Sequence, residues 1–119
     1  MQPAFTALVQ RVTDELQQVA VALQQAAEEA STVELDQTSV GRLSRMDAIQ
    51  QQAMAQERQE RIRMRQRQLL AAQDRLAHGA YGRCCECDED IDQDRLQQDP
   101  AVVFCMTCQM QRDQPDRLR

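Results

Sequence analysis

The sequence has no tryptophan and no lysine, one tyrosine, two phenylalanines, one histidine and only three glycines in 119 residues. So few large rings exclude a thick globular core. A long helical pair or a metal-stapled module avoids that shortage, because neither needs a deep apolar centre. All fourteen basic residues are arginine, the formal net charge is -5 and the pI is about 4.8. An acidic chain without stacking platforms lacks what general nucleic-acid binding draws on. A single His and no Gly-rich phosphate loop leave no nucleophile–base pair, so no enzyme is expected. There is no apolar run of membrane-spanning length. The opening MQPAFTALVQRVTDELQQ has no basic segment and interrupts its apolar residues with Gln, Asp and Glu. It does not read as a signal peptide, and a cytoplasmic address is expected. The length fits one domain, or one compact module with an elongated extension.

What is present is periodicity. Phe5, Val9, Val12, Leu16, Val19, Leu23, Ala26 and Ala30 are separated by alternating steps of four and three, the apolar repeat of a coiled coil. Pro3 stands where a helix can start. From about 45 to 78 a second seam runs through Ala55, Arg58, Ile62, Arg65, Leu69, Ala72 and Leu76, broken by its two arginines. Met46, Ile49 and Ala53 fall on a rotated stripe, which predicts a stutter. Two long helices joined by one turn-like segment fold back most simply as an antiparallel hairpin spanning 1–79. Its arms would be roughly 40–50 Å long and its tip about 31–46. The same clean seam in the first helix also allows self-association as a homodimer; a monomeric hairpin is the expectation.

Within the tip, Gly41 permits a turn, and Ser44-x-x-Asp47 fits a capping box that would start the second helix. Asp36 has no comparable local role. The block ERQERIRMRQRQ, 57–68, fans its arginines around several helix faces and contains the i,i+4 pair Glu57 and Arg61. It reads as a solvated coiled-coil surface, with a docking patch for an acidic partner as the alternative. Gly79 fits the residue that closes a helix after His78.

The chemistry lies further on. Cys84-x-x-Cys87 and Cys105-x-x-Cys108 are separated by seventeen residues, a spacing at which two tight turns aim four sulfurs at one ion. Four thiolates leave zinc no open position, so one structural Zn2+ is expected and catalysis is not. A dithiol redox reading lacks the βαβ surroundings of a thioredoxin-like fold. Cys85 is left over, because it would leave a one-residue gap to Cys87; His78 is a weaker ligand candidate than any of the four. Ile91, Leu96, Val102, Val103 and Phe104 are the expected small core of a module spanning 80–119, which should unfold without metal. The acidic run DEDIDQD beside the thiolates opposes docking on DNA through this module.

The motifs YGRCCEC, DRLQQDP (94–100) and FCMTC, placed after a helical hairpin, resemble the DksA/TraR family of C4-type zinc finger proteins. The resemblance is close over 81–108 and general over the coiled coil. It implies a mainly α fold: an antiparallel coiled-coil hairpin with a small C-terminal four-cysteine zinc-finger module. It also implies a regulator of transcription initiation that binds RNA polymerase, its coiled coil entering the secondary channel without contacting promoter DNA. Departures accompany it. The Asp-x-x-Asp-x-Ala tip motif of the family's founding member is absent as such; Asp36 and Asp47, with Arg42 and Arg45 between them, are the nearest partner-binding candidates. Asp88 stands where the family commonly has Gly, and Pro115 interrupts the C-terminal tail. The alternative is a zinc-capped coiled coil that binds a different protein or itself.

Overall fold

The computed structural model describes the backbone of residues 3–37 and 42–114, and the side chains of 5–31 and 45–114. Helix α1 runs Pro3–Gln37 and helix α2 Arg42–Ala77; two short helices follow, α3 (Gln93–Gln98) and α4 (Met106–Asp113). There is no strand among the described residues, only an isolated antiparallel bridge between Arg83 and Asp90. The fold is mainly α, a helical hairpin followed by a cysteine module, as expected. Both long helices extend beyond their expected ends at 30 and 45. At 1.5 Å per residue each is about 53 Å long. The chain forms two compact units, one of residues 16–67 and one of 1–15 with 68–119.

In the first of these units Val19 and Ala26 from α1 and Ala48 and Ala55 from α2 are buried, while Leu16, Leu23, Ala30 and Ile62 are half-buried. Three of the four buried residues are alanines, which place little bulk between paired helices. An ion pair ties the helices at the edge of this seam, Arg58 Nη1 to Glu29 Oε2 at 2.5 Å, with both side chains about half exposed.

The α2 seam differs from the expected one. Ala48, Ala55, Ile62, Leu69 and Leu76 form an unbroken seven-residue repeat, all buried or half-buried, so there is no stutter. Met46 (63% exposed) and Ile49 (58%) face solvent, as does Ala53. The intervening seam positions include Gln52, Gln59 and Gln66, half-buried. Small and polar residues thus occupy the seam while the more apolar Met46 and Ile49 lie beside it. Arg65 is half-buried, but Arg58 lies outside the seam in its pair with Glu29.

The capping box is also corrected. Helix α2 already includes Arg42, so Ser44 is inside the first turn and not the residue before it. Gly41 lies outside the described residues.

The unit of 1–15 and 68–119 has the richer core. Leu8, Leu69 and Leu96 are fully buried, with Val12, Ala72, Tyr81, Ile91, Pro100 and Ala101 nearly so. Of the residues expected to form the module's own core, Ile91 and Leu96 are buried, but Val102, Val103 and Phe104 are half-buried. Helix residues make up the difference. The Phe5 ring meets Tyr81 edge-on (centroids 5.3 Å apart, planes at 86°) and lies against Gly82. The Tyr81 hydroxyl donates to Pro100 O at 2.7 Å, and Arg11 donates to Gln97 O at 2.6 Å.

Helix α2 closes as expected. Gly79 has φ +71°, its N–H donates to Leu76 O, and Ala80 N–H donates to Arg75 O at 2.8 Å. These two bonds define a Schellman motif, which only a residue at ease with positive φ completes without strain.

Candidate metal centre

Two turns, one after α2 and one at the start of α4, carry the cysteines. In the first, Asp88 N–H donates to Cys84 O at 3.0 Å and Cys84 N–H to Glu89 O at 2.7 Å. Asp88 itself adopts φ +63°, the left-handed conformation that glycine would take more readily. Its carboxylate lies 3.4 Å from the Arg83 guanidinium. Ile91 N–H returns to Gly82 O at 2.8 Å, and Cys85 N–H reaches Val103 O at 2.7 Å, joining the two halves of the module.

In the second turn Cys105 is the N-cap of α4 and its sulfur accepts from Cys108 N–H at 3.4 Å. The Cys-x-x-Cys spacing thus becomes an N-cap and a third helical residue, whose sulfurs converge at a helix N-terminus where negative charge is favoured. The Phe104 ring is covered by Arg112, whose guanidinium carbon is 4.4 Å from the ring centroid.

Together the turns place the sulfurs of Cys84, Cys87, Cys105 and Cys108 within 4.8 Å of one another. Cys87 Sγ and Cys105 Sγ are 3.7 Å apart. A tetrahedron with zinc–sulfur bonds of about 2.3 Å has sulfur–sulfur edges of about 3.8 Å, so the donor set fits one zinc ion. Cys84 and Cys108 are buried, Cys105 is half-buried and Cys87 is exposed.

Electrostatics support a cation. Burial pushes the Cys84 thiol up, but hydrogen bonds from the backbone of Cys105, Cys87 and Glu86, and from the Cys87 side chain, outweigh it and bring Cys84 down from 9.0 to about 6. For Cys87 a backbone hydrogen bond at Glu89 lowers the pKa. Local desolvation of the sulfur, although the residue is exposed, and hydrogen bonds with the thiols of Cys84 and Cys105 more than reverse that, and the net shift is upward. Cys108 is raised strongly, first by its hydrogen bond to Cys105 and then by burial. Without a cation, one thiolate in the cluster opposes the next. A zinc ion held by all four would remove that conflict and would have no open position for substrate.

The remaining candidates are placed less completely. Cys85 is exposed and outside the sulfur cluster. His78 is exposed too, its Nδ1 2.8 Å from Asp74 O at the end of α2. Arg45 and Asp47 are exposed on the first turns of α2. Asp36 and Arg42 belong to α1 and α2, but their side chains lie outside the described residues. Two arginines that the sequence reading did not single out reach the cysteine turns. Arg75 Nη2 donates to Ala80 O at 3.0 Å and to Arg83 O, and Arg95 Nε donates to Phe104 O at 2.9 Å. Arg95 belongs to the DRL motif noted in the sequence. Arg75 carries no signal there, because its carbonyl partners are fixed only when the helix end folds back.

Four convergent thiols on two turns, following a helical hairpin, define a C4-type zinc finger protein. Residues 79–114 match the family model of the prokaryotic dksA/traR C4-type zinc finger. Among curated proteins no relative matches the chain. The fold is similar to that of transcription factor DksA2 from Pseudomonas aeruginosa, with a TM-score of 0.83 and 19% identity over 98% of this chain and 88% of that one. The hairpin-and-finger arrangement is therefore shared over nearly the whole chain, although few of its residues are.

Proposed function

We propose that this protein regulates transcription initiation by binding RNA polymerase, with the tip of its helical hairpin entering the secondary channel and no sequence-specific DNA contact. The observation that carries this reading is the combination of a segment matching the dksA/traR finger with a fold similar to that of a transcription factor over 98% of the chain. The net charge of -5 agrees with a protein partner. Asp36, Arg42, Arg45 and Asp47 are the partner-binding candidates at the tip. A carboxylate there has the hard-oxygen chemistry to act near a magnesium-dependent centre. Zinc holds the finger and takes no part in catalysis; the protein is not an enzyme in this reading. No helix of the described residues is long and apolar enough to cross a membrane, and the proposed partner sets a cytoplasmic location.

The test is binding of the zinc-loaded protein to purified core RNA polymerase against a known secondary-channel factor. Displacement by that factor, together with loss of the transcriptional effect in an Asp36→Asn, Asp47→Asn double variant, is the expected result. Binding without competition refutes channel entry. A second reading, a zinc-capped interaction module for another partner or a second copy, draws on Met46, Ile49 and Ala53 facing solvent on α2. Absence of polymerase binding, with a dimer in sedimentation, would favour it.

A further inference from the structure

The two cysteine pairs share a feature that their sequences do not show. Arg83 immediately precedes Cys84, and Phe104 immediately precedes Cys105. The carbonyl of each accepts a hydrogen bond from an arginine on another helix: Arg83 O from Arg75 of α2, and Phe104 O from Arg95 of α3. A peptide plane contains both the carbonyl of one residue and the N–H of the next. Holding the carbonyl therefore fixes the plane through which the chain enters the first ligand of each pair. At Cys84 the plane is held at both ends, since its N–H donates to Glu89 O at 2.7 Å. Both arginines are half-buried; the Arg95–Phe104 bond is partly shielded from water, whereas the Arg75–Arg83 bond is exposed. Their charges also lie beside turns that together present up to four thiolates, an excess of two negative charges over one zinc ion.

We propose that Arg75 and Arg95 are positioning residues for the metal: they orient Cys84 and Cys105 before zinc arrives and set its affinity, in addition to stabilising the fold. Outer-shell partners of this kind typically change metal affinity by roughly 10–100-fold when removed. Arg11 provides the internal control. It makes the same type of arginine–carbonyl bond in the same unit, to Gln97 O at 2.6 Å, but next to no cysteine.

Zinc affinity of the full-length protein is measured by competition with a chromophoric chelator, and the thiolate-to-cobalt charge-transfer band is recorded after cobalt substitution. Arg75→Gln and Arg95→Gln are each expected to lose roughly tenfold or more in zinc affinity and to shift or broaden the cobalt band, whereas Arg11→Gln stays within about threefold with an unchanged band. Arg95→Lys, which keeps the charge and one donor, is expected to recover most of the loss; it decides the matter if a Gln variant does not fold. Gln variants within about threefold of the parent, an Arg11→Gln loss as large as theirs, or a Lys variant as impaired as its Gln counterpart would each overturn the proposal.

Discussion

Replacing Gly82 with Ala tests how the helical hairpin is joined to the zinc finger. Gly82 is buried with φ +85°, and a Cβ built on it would lie 2.6 Å from Phe5 Cζ and 3.2 Å from Cε2. The left-handed conformation alone costs an L-residue about 1–2 kcal/mol. Displacing a ring that already packs edge-on against Tyr81 adds about 1–3 kcal/mol, the usual cost of overpacking. Gly79 separates the two contributions. It has nearly the same φ, +71°, but nothing within 4 Å of its Cβ position, so Gly79→Ala should cost only the backbone share, about 1–2 kcal/mol. Urea unfolding of the zinc-loaded variants, followed by circular dichroism, gives both values. The excess of Gly82→Ala over Gly79→Ala should vanish in a Phe5→Ala background, because the two sites couple only through the ring. Equal costs for the two glycine variants, or an excess that survives loss of Phe5, would refute the reasoning.

Removing zinc should loosen more than the finger. Leu8, Val12, Leu69 and Ala72 share a core with Ile91 and Leu96, so hydrogen exchange after chelation should accelerate at 8–15 and 69–77 as well as 84–108. Protection that stays intact at the helix ends would contradict this. Serine at Cys84, Cys87, Cys105 or Cys108 should abolish stoichiometric zinc binding, whereas Cys85→Ser should retain one zinc per chain by atomic absorption. Asp88→Gly relieves a positive φ and loses only an exposed pair with Arg83. A net gain of up to about 1 kcal/mol is expected, and a clear loss of stability would show that the ion pair dominates. Burial raises the Tyr81 pKa above its ordinary 10.0, with Arg11 opposing and Asp99 adding to the shift. The unfolded chain therefore ionises first, and stability fully present below pH 10 is lost as pH rises above 10 through the raised pKa of the folded state. As the single tyrosine, Tyr81 reports this directly in tyrosinate absorbance, and Tyr81→Phe should remove this contribution to the alkaline loss.

Much of this was legible in the residue order because the relevant interactions are local or periodic. The α1 repeat places Val12, Val19 and Ala26 in the seam by helical geometry alone. Gly79 ends α2 because its positive φ is a property of one residue. Two Cys-x-x-Cys turns determine a zinc site wherever they meet. Other features depended on what lay across a contact. Leu8 is fully buried although the alternating seam passed over it. Ala48 displaces Met46 and Ile49 from the second seam, as packing there selected a continuous register with smaller side chains over greater hydrophobicity. Arg42 belongs to α2, so the helix begins before the Ser-x-x-Asp signal.

The sequence by itself determined the hairpin's two amphipathic helices, the four cysteines that cluster to fit one metal ion and the exclusion of a large aromatic core. Each follows from spacing along one chain segment or from composition. Only the tertiary structure decided that Phe5 rests on Gly82, that the finger shares its core with the helix ends, and that Arg75 and Arg95 hold the carbonyls before Cys84 and Cys105. Phe5 and Gly82 stand 77 positions apart (82 − 5), a separation at which no local periodicity operates; the two arginine bonds span only 8 and 9 residues but depend on how the chain folds back after α2 and α3.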